Sequence, residues 1–157
     1  MLGSQKRVAF KYIIFTLINM DLNKISFRVR YAETDQMGVV YHGNYPQYLE
    51  MGRVELLRKL GFSYKKMEKN GIMLPVISLS IKYKKSALYD DLITVETILK
   101  KTPSVKIEFN YKIYNEQNDL LIEAHTVLAF IDSKKNKPMR CPDDLNEKIT
   151  SYLQERK

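Results

Sequence analysis

Two hydrophobic periods divide this chain. Ile25, Phe27, Val29 and Tyr31 alternate with Ser26, Arg28 and Arg30, which predicts a strand with one buried face. The same period of two returns later in the chain. Ile77, Leu79, Ile81 and Tyr83 alternate with Ser78, Ser80 and Lys82, and Val105, Ile107, Phe109, Tyr111 and Ile113 alternate with Lys106, Glu108, Asn110 and Lys112. Residues 92–100 are rich in β-branched side chains, and residues 120–132 form a last strand-like run. Turn-forming residues at 87–91, at Thr102-Pro103 and at 115–119 separate these segments.

Between the first strand and the others the period becomes helical. Asn44 with Gln47 three residues on has the form of a capping box, Pro46 fits the first turn, and Gly61 marks the stop. Tyr45, Tyr48, Leu49, Met51, Gly52, Val54, Leu56, Leu57 and Leu60 lie nearly all round this helix, so it is expected to be enclosed. A short polar helix over 63–69, closed by Asn70-Gly71, follows. Residues 142–154 form a terminal helix with Leu145, Ile149, Tyr152 and Leu153 on one side. Short turns between long strands imply antiparallel neighbours. The expectation is an α+β architecture: one antiparallel sheet of about five strands wrapped around a long central helix.

Composition narrows the classes. A length of 157 residues fits one domain, and 45% hydrophobic with 28% charged residues is globular. One cysteine, Cys141, excludes an internal disulfide and fits a reducing compartment, so a cytoplasmic location is expected. One Cys and two His fall short of the four nitrogen or sulfur ligands that a structural zinc usually takes, and no metal or other cofactor is expected. The net charge of +8 includes Lys6, Arg7 and Lys11 in the first nineteen residues, which hold no acid. Elsewhere bases and acids interleave, and no nucleic-acid motif accompanies them, so a phosphorylated small molecule suits the charge better than nucleic acid. The apolar run at residues 10–18 is too short to span a bilayer, which takes about 20 helical residues. Residues 1–19 are read as an extension or leader ahead of a natural start at Met20, or as an extra edge strand. Residues 20–157 are read as the single domain.

Candidate chemistry gathers at residues 31–44, Y-A-E-T-D-Q-M-G-V-V-Y-H-G-N. Asp35 stands seven residues before His42, and a helix starts at once. A carboxylate serves as base or nucleophile, while free amides at a helix start hold a developing oxyanion, an arrangement suited to acyl transfer to water. The plainer reading of Asp35 is a turn cap before Gly38, and of His42 a partly exposed structural histidine. Glu50 and Arg53 read as a buried or interface ion pair, Lys82, Lys84 and Lys85 as a solvated strand face, and His125 as a packing or surface residue without function.

Three stretches carry a family resemblance: R-V-R-Y-A-E-T-D-Q-M-G-V-V-Y-H-G-N-Y at 28–45, Y-L-E-M-G-R at 48–53, and S-A-L-Y-D-D-L-I-T-V-E-T at 86–97. In this order they resemble the hotdog-fold acyl-CoA thioesterases of the 4-hydroxybenzoyl-CoA thioesterase family, and most of all its Tol-Pal-associated (YbgC-like) subgroup. The resemblance implies hydrolysis of an acyl-CoA without a cofactor, with Asp35 as nucleophile or general base. It places the oxyanion on the His42 backbone N–H, with the His42 imidazole orienting water or the carboxylate. Tyr41, Gly43, Asn44 and Tyr45 would line the oxyanion and substrate site, and Tyr48 the acyl pocket. Lys101, Ser104 and Lys106, near Lys100, would meet the coenzyme A phosphates, and Glu50 is the alternative acid. It also implies a homodimer or dimer of dimers with the ligand between subunits. Acyl-carrier-protein thioesters, a hotdog dehydratase or hydratase, and a non-catalytic acyl-thioester binder are the competing readings.

Overall fold

A computed structural model describes residues 22–156. The expected leader, residues 1–19, lies outside the described residues. Strand β1 (Lys24–Arg28) leads through a 3-10 turn (Tyr31–Glu33) and a second one (His42–Asn44) into helix α1 (Tyr45–Lys59). Then come α2 (Tyr64–Lys69), β2 (Ile72–Met73), β3 (Val76–Tyr83), β4 (Leu92–Ile98), β5 (Lys106–Tyr114), β6 (Leu120–Ala129), β7 (Ile131–Asp132), β8 (Lys137–Pro138) and α3 (Asp143–Gln154). The main sheet is antiparallel with order β1-β4-β5-β6-β3. A small sheet, β2-β7-β8, joins the chain after α2 to the end of the β6 run, and no local periodicity announced it.

The sheet's inner face supplies the core. Ile107, Phe109, Tyr111 and Ile113 of β5 are buried, as are Ile93 and Val95 of β4 and Leu121, Ile122 and Leu128 of β6. Tyr48, Leu49, Leu56 and Leu57 of α1 meet them, and Leu145, Ile149 and Tyr152 of α3 join the same core. Helix and sheet approach closely at Gly52. A Cβ there would stand 2.5 Å from Thr97 Oγ1 and 2.9 Å from Val95 Cγ1, so only glycine lets the helix lie this near β4. Gly61, at φ +93°, ends the helical region in a left-handed conformation suited to glycine.

Four expectations need correction. Tyr31 does not continue the buried face of β1: it is 78% exposed, because the Arg30 amide and guanidinium both bond the Glu33 carboxylate and curl the chain into a 3-10 turn. Asn44 precedes α1 but makes no capping box; its Nδ2 donates instead to the Glu33 carbonyl at 2.7 Å. Within one chain α1 is not enclosed all round, since Met51 is 43% exposed beside β1. Finally, among the described residues β3 hides little of a face: Val76, Ile77, Leu79 and Tyr83 are exposed at the sheet edge, and only Ile81 packs partly against the core.

Candidate active site

Residues 34–40 fold into a tight loop. The Asp35 amide donates to the Val39 carbonyl and the Gly38 amide to the Asp35 carbonyl, both at 2.9 Å, with Gly38 at φ +75°. Asp35 Oδ1 accepts the Met37 amide at 2.8 Å. The turn-cap reading of Asp35 is therefore met, and this bond also fixes the orientation of its carboxylate. The loop is held against the connection between β3 and β4 by a bridge between Val39 and Leu88 and by the Val40 amide, which donates to the Ala87 carbonyl at 2.9 Å.

Beyond the loop, the chain makes the turn that enters α1. The Glu33 carbonyl accepts both the Tyr41 amide, at 2.9 Å, and Asn44 Nδ2. The Asn44 amide donates to the Tyr41 carbonyl and closes the turn. The first amides of a helix have no intrahelical acceptor and sit at the positive end of its dipole. The amides of His42 and Gly43 lie just ahead of α1, in the first two positions of the 3-10 turn that leads into it. The Tyr41 ring lies 4.4 Å from the His42 ring, and a Cβ at Gly43 would stand 2.5 Å from Tyr41 Cε1.

One cavity of about 300 Å³ joins the two parts, lined by Asp35 and His42 together with Val39, Val40, Tyr45 and Tyr83. Lys84, Lys85 and Ser86 form its further wall. The Tyr45 ring is buried, its hydroxyl accepts the Ala87 amide at 3.4 Å, and burial raises its pKa. Beneath the turn, the buried Tyr48 hydroxyl sits beside the Glu33 carboxylate, and burial pushes its pKa up strongly. Glu33 itself is net lowered. Burial pulls its pKa upward, but the hydrogen bonds from Arg30 and the Arg30 charge, with the Tyr48 hydroxyl nearby, outweigh that pull.

A depressed carboxylate pKa stabilises the fold above the usual unfolded value of about 4.3, and that contribution is lost as pH falls through the lowered folded value. Glu33→Gln is therefore expected to lower the urea midpoint at neutral pH. The gap from wild type should close as the pH drops below about 4, in unfolding followed by tyrosine fluorescence.

A family model described as the Thioesterase-like superfamily matches residues 29–149. The chain belongs to this superfamily. YneP of Bacillus subtilis (strain 168), whose name assigns it acyl-CoA thioesterase activity provisionally, is 38% identical over 88% of this chain and 100% of its own. The acyl-CoA thioester hydrolase YbgC of Escherichia coli O6:H1 is 30% identical over 82% of this chain and 96% of its own. The crystal structure of the DHNA-CoA thioesterase from Staphylococcus aureus matches with a TM-score of 0.78 at 38% identity, covering 86% of this chain and 95% of that one. The hotdog architecture and the family resemblance read from the sequence are both borne out.

In this thioesterase-like chain the structure gathers Asp35, His42 and Tyr45 around one cavity, with Tyr41, Gly43 and Asn44 in the turn beside it. It does not bring the other candidates there. Glu50 is exposed on α1 and reaches the buried Arg53 at 3.4 Å, so only the arginine of that pair is buried. Lys101 Nζ lies 2.7 Å from Glu108 Oε1, and His125 Nε2 lies 3.3 Å from Glu108 Oε2. Ser104 and Lys106 are exposed at the start of β5. None of Lys101, Ser104 and Lys106 lines the Asp35 cavity. Lys84 and Lys85, read from sequence as a solvated face, do line it while also pairing with Glu123 and Asp119. Their clustering was visible in the sequence. Their approach to Asp35 depends on a long-range contact that local spacing does not report.

Proposed function

We propose that this chain is an acyl-CoA thioester hydrolase with Asp35 as its essential carboxylate. The observation that carries this reading is the single cavity shared by Asp35 and the His42 turn at the start of α1. The thioester carbonyl lodges with its oxygen toward the His42 and Gly43 amides. Asp35 then either attacks the carbonyl carbon, forming a mixed anhydride that water opens, or removes a proton from the water that attacks. On either route the tetrahedral oxyanion collapses, the C–S bond breaks, and free acid and coenzyme A leave. Amides fixed ahead of a helix would stabilise the negative charge as it develops, without reorganising at the moment of reaction. The His42 imidazole, on the same wall, orients the water or the carboxylate.

Thiol release from aromatic and aliphatic acyl-CoA and acyl-carrier-protein substrates tests the activity, and hydration of an enoyl-CoA tests the dehydratase reading. Turnover with hydration alone, or binding without turnover, would refute hydrolysis. Aromatic substrates belong in the panel because the cavity carries the Tyr45 and Tyr83 rings.

The active unit is proposed to be a homodimer or a dimer of dimers. An exposed apolar edge strand is an unpaired template, and a second copy of β3 covers it. Contact of Lys101, Ser104 and Lys106 with the coenzyme phosphates then requires the coenzyme arm to run from one protomer's cavity onto the other. Charging the edge with Ile77→Lys and Leu79→Lys together is expected to convert the oligomer to monomer in light scattering and to abolish thiol release. An unchanged mass would refute pairing through β3. Among the described residues no helix is long and apolar enough to cross a membrane. A cytoplasmic location is proposed from the reduced, lone Cys141.

A further inference from the structure

We propose that Asn44 is a positioning residue for this reaction, holding the segment that carries Asp35 against the start of α1. The inference rests on the hydrolase reading above. Residues 33–41 form a short hairpin with the Asp35–Gly38 turn at its tip. The Tyr41 amide donates to the Glu33 carbonyl and the Asp35 amide to the Val39 carbonyl, both at 2.9 Å. A bridge joins Thr34 and Val40 between those two rungs. Asn44 grips both arms where the hairpin opens. Its backbone amide donates to the Tyr41 carbonyl at 2.9 Å, and its Nδ2 donates to the Glu33 carbonyl at 2.7 Å. The next residue, Tyr45, begins α1. One residue therefore ties the base of the Asp35 hairpin to the helix start.

The acceptor of that side-chain bond is itself anchored. The buried Glu33 carboxylate takes the Arg30 amide at 2.8 Å and the Arg30 guanidinium at 2.6 and 3.0 Å. Asparagine at the start of a helix ordinarily turns its side-chain oxygen back to a free helix amide and so stabilises the helix. Asn44 makes no such bond. Its backbone stands at φ −84° and ψ −23°, a helical conformation and not the extended one of a capping residue. A residue serving only the stability of α1 would cap it. Asn44 instead commits its side chain to Glu33, two residues before Asp35. Asp35 on the hairpin and His42 in the turn line one cavity, which Asn44 itself does not line. A shift of the hairpin against the helix start changes the spacing across that cavity, and acyl transfer depends on that spacing.

Asn44→Ala removes the bond to Glu33 and leaves the backbone amide in place. Misplacing a reacting group by about 1 Å costs on the order of 100-fold, so kcat is expected to fall roughly ten- to a hundredfold with KM within about twofold of wild type. Hydrogen exchange reads the position directly. Loss of one hydrogen bond should speed exchange of the Tyr41 and Asp35 amides by about two- to tenfold, while amides of β5 and β6 keep their wild-type rates. Asn44→Asp guards against simple loss of the fold. It keeps the size of the side chain and suits a helix cap, but a carboxylate cannot donate to the Glu33 carbonyl. It is expected to melt at the wild-type temperature and to lose kcat as Asn44→Ala does. Wild-type kcat in either variant overturns the positioning role. So does a fall in kcat without faster exchange at Tyr41 and Asp35, or a loss fully accounted for by a lower melting temperature. If Asp35→Asn itself retains wild-type turnover, the hydrolase reading has failed. If Asp35→Asn is inactive while both Asn44 variants turn over normally, only the role of Asn44 has failed.

Discussion

Asp35→Asn is expected to lower thioester turnover by about 10²–10⁴-fold, the range for removing a general base, and by more if the carboxylate is the nucleophile. The change is nearly isosteric. The Asn amide oxygen can still accept the Met37 amide that Oδ1 now takes at 2.8 Å, so the 34–40 loop keeps its shape. What disappears is an oxygen able to take a proton or bond to carbon. Thiol release, measured beside a thermal melt, separates lost chemistry from lost structure. Turnover above a tenth of wild type in a normally folded variant would remove Asp35 from the mechanism. Glu50 is the natural control, because its side chain is 65% exposed and it does not line the Asp35 cavity.

Gly52→Leu is expected to have the largest effect on folding. Leucine favours the helix by roughly 1 kcal/mol over glycine, and on a solvated helix face it would stabilise α1. Here the first added carbon already meets Thr97 Oγ1 at 2.5 Å and Val95 Cγ1 at 2.9 Å, and both residues are fully buried on β4. Overpacking of this kind costs about 1–3 kcal/mol and sometimes more, and three further carbons have nowhere to go. A net loss of about 2 kcal/mol or more, read as a fall in urea midpoint or as insoluble expression, is the predicted result. A wild-type midpoint would mean that α1 and β4 separate freely, contrary to the close approach described.

The parts of the fold legible in the sequence are those where a side chain's surroundings alternate as the strand does. In β5 the inner residues Ile107, Phe109, Tyr111 and Ile113 are buried while Glu108, Asn110 and Lys112 face outward, so the pattern predicts the strand directly. The same pattern misleads at Tyr31, because bonds from Arg30 to Glu33 bend the chain before the alternation ends. In β3 the alternation is real, but among the described residues only Ile81 packs partly against the core and the rest of the strand is exposed. We attribute that pattern to a face reserved for a second copy. At the site, Asp35, His42 and the start of α1 were readable because one continuous stretch carries them. Lys84, Lys85 and Tyr83 were not, since their place beside Asp35 depends on the Val40 amide reaching the Ala87 carbonyl across the fold. Asn44 shows the converse failure: the right residue stands at the helix start, but Glu33 claims its side chain.

The most direct test of the proposed centre is a crystal structure of the oligomer with a non-hydrolysable acyl-CoA analogue, its thioester replaced by a thioether ketone. The prediction is that the ketone oxygen lies within about 3 Å of the His42 or Gly43 amide, with the Asp35 carboxylate facing the carbonyl carbon or a water beside it. An analogue whose ketone is seated away from the His42 turn, with Asp35 facing no reacting atom in any subunit, would contradict the account.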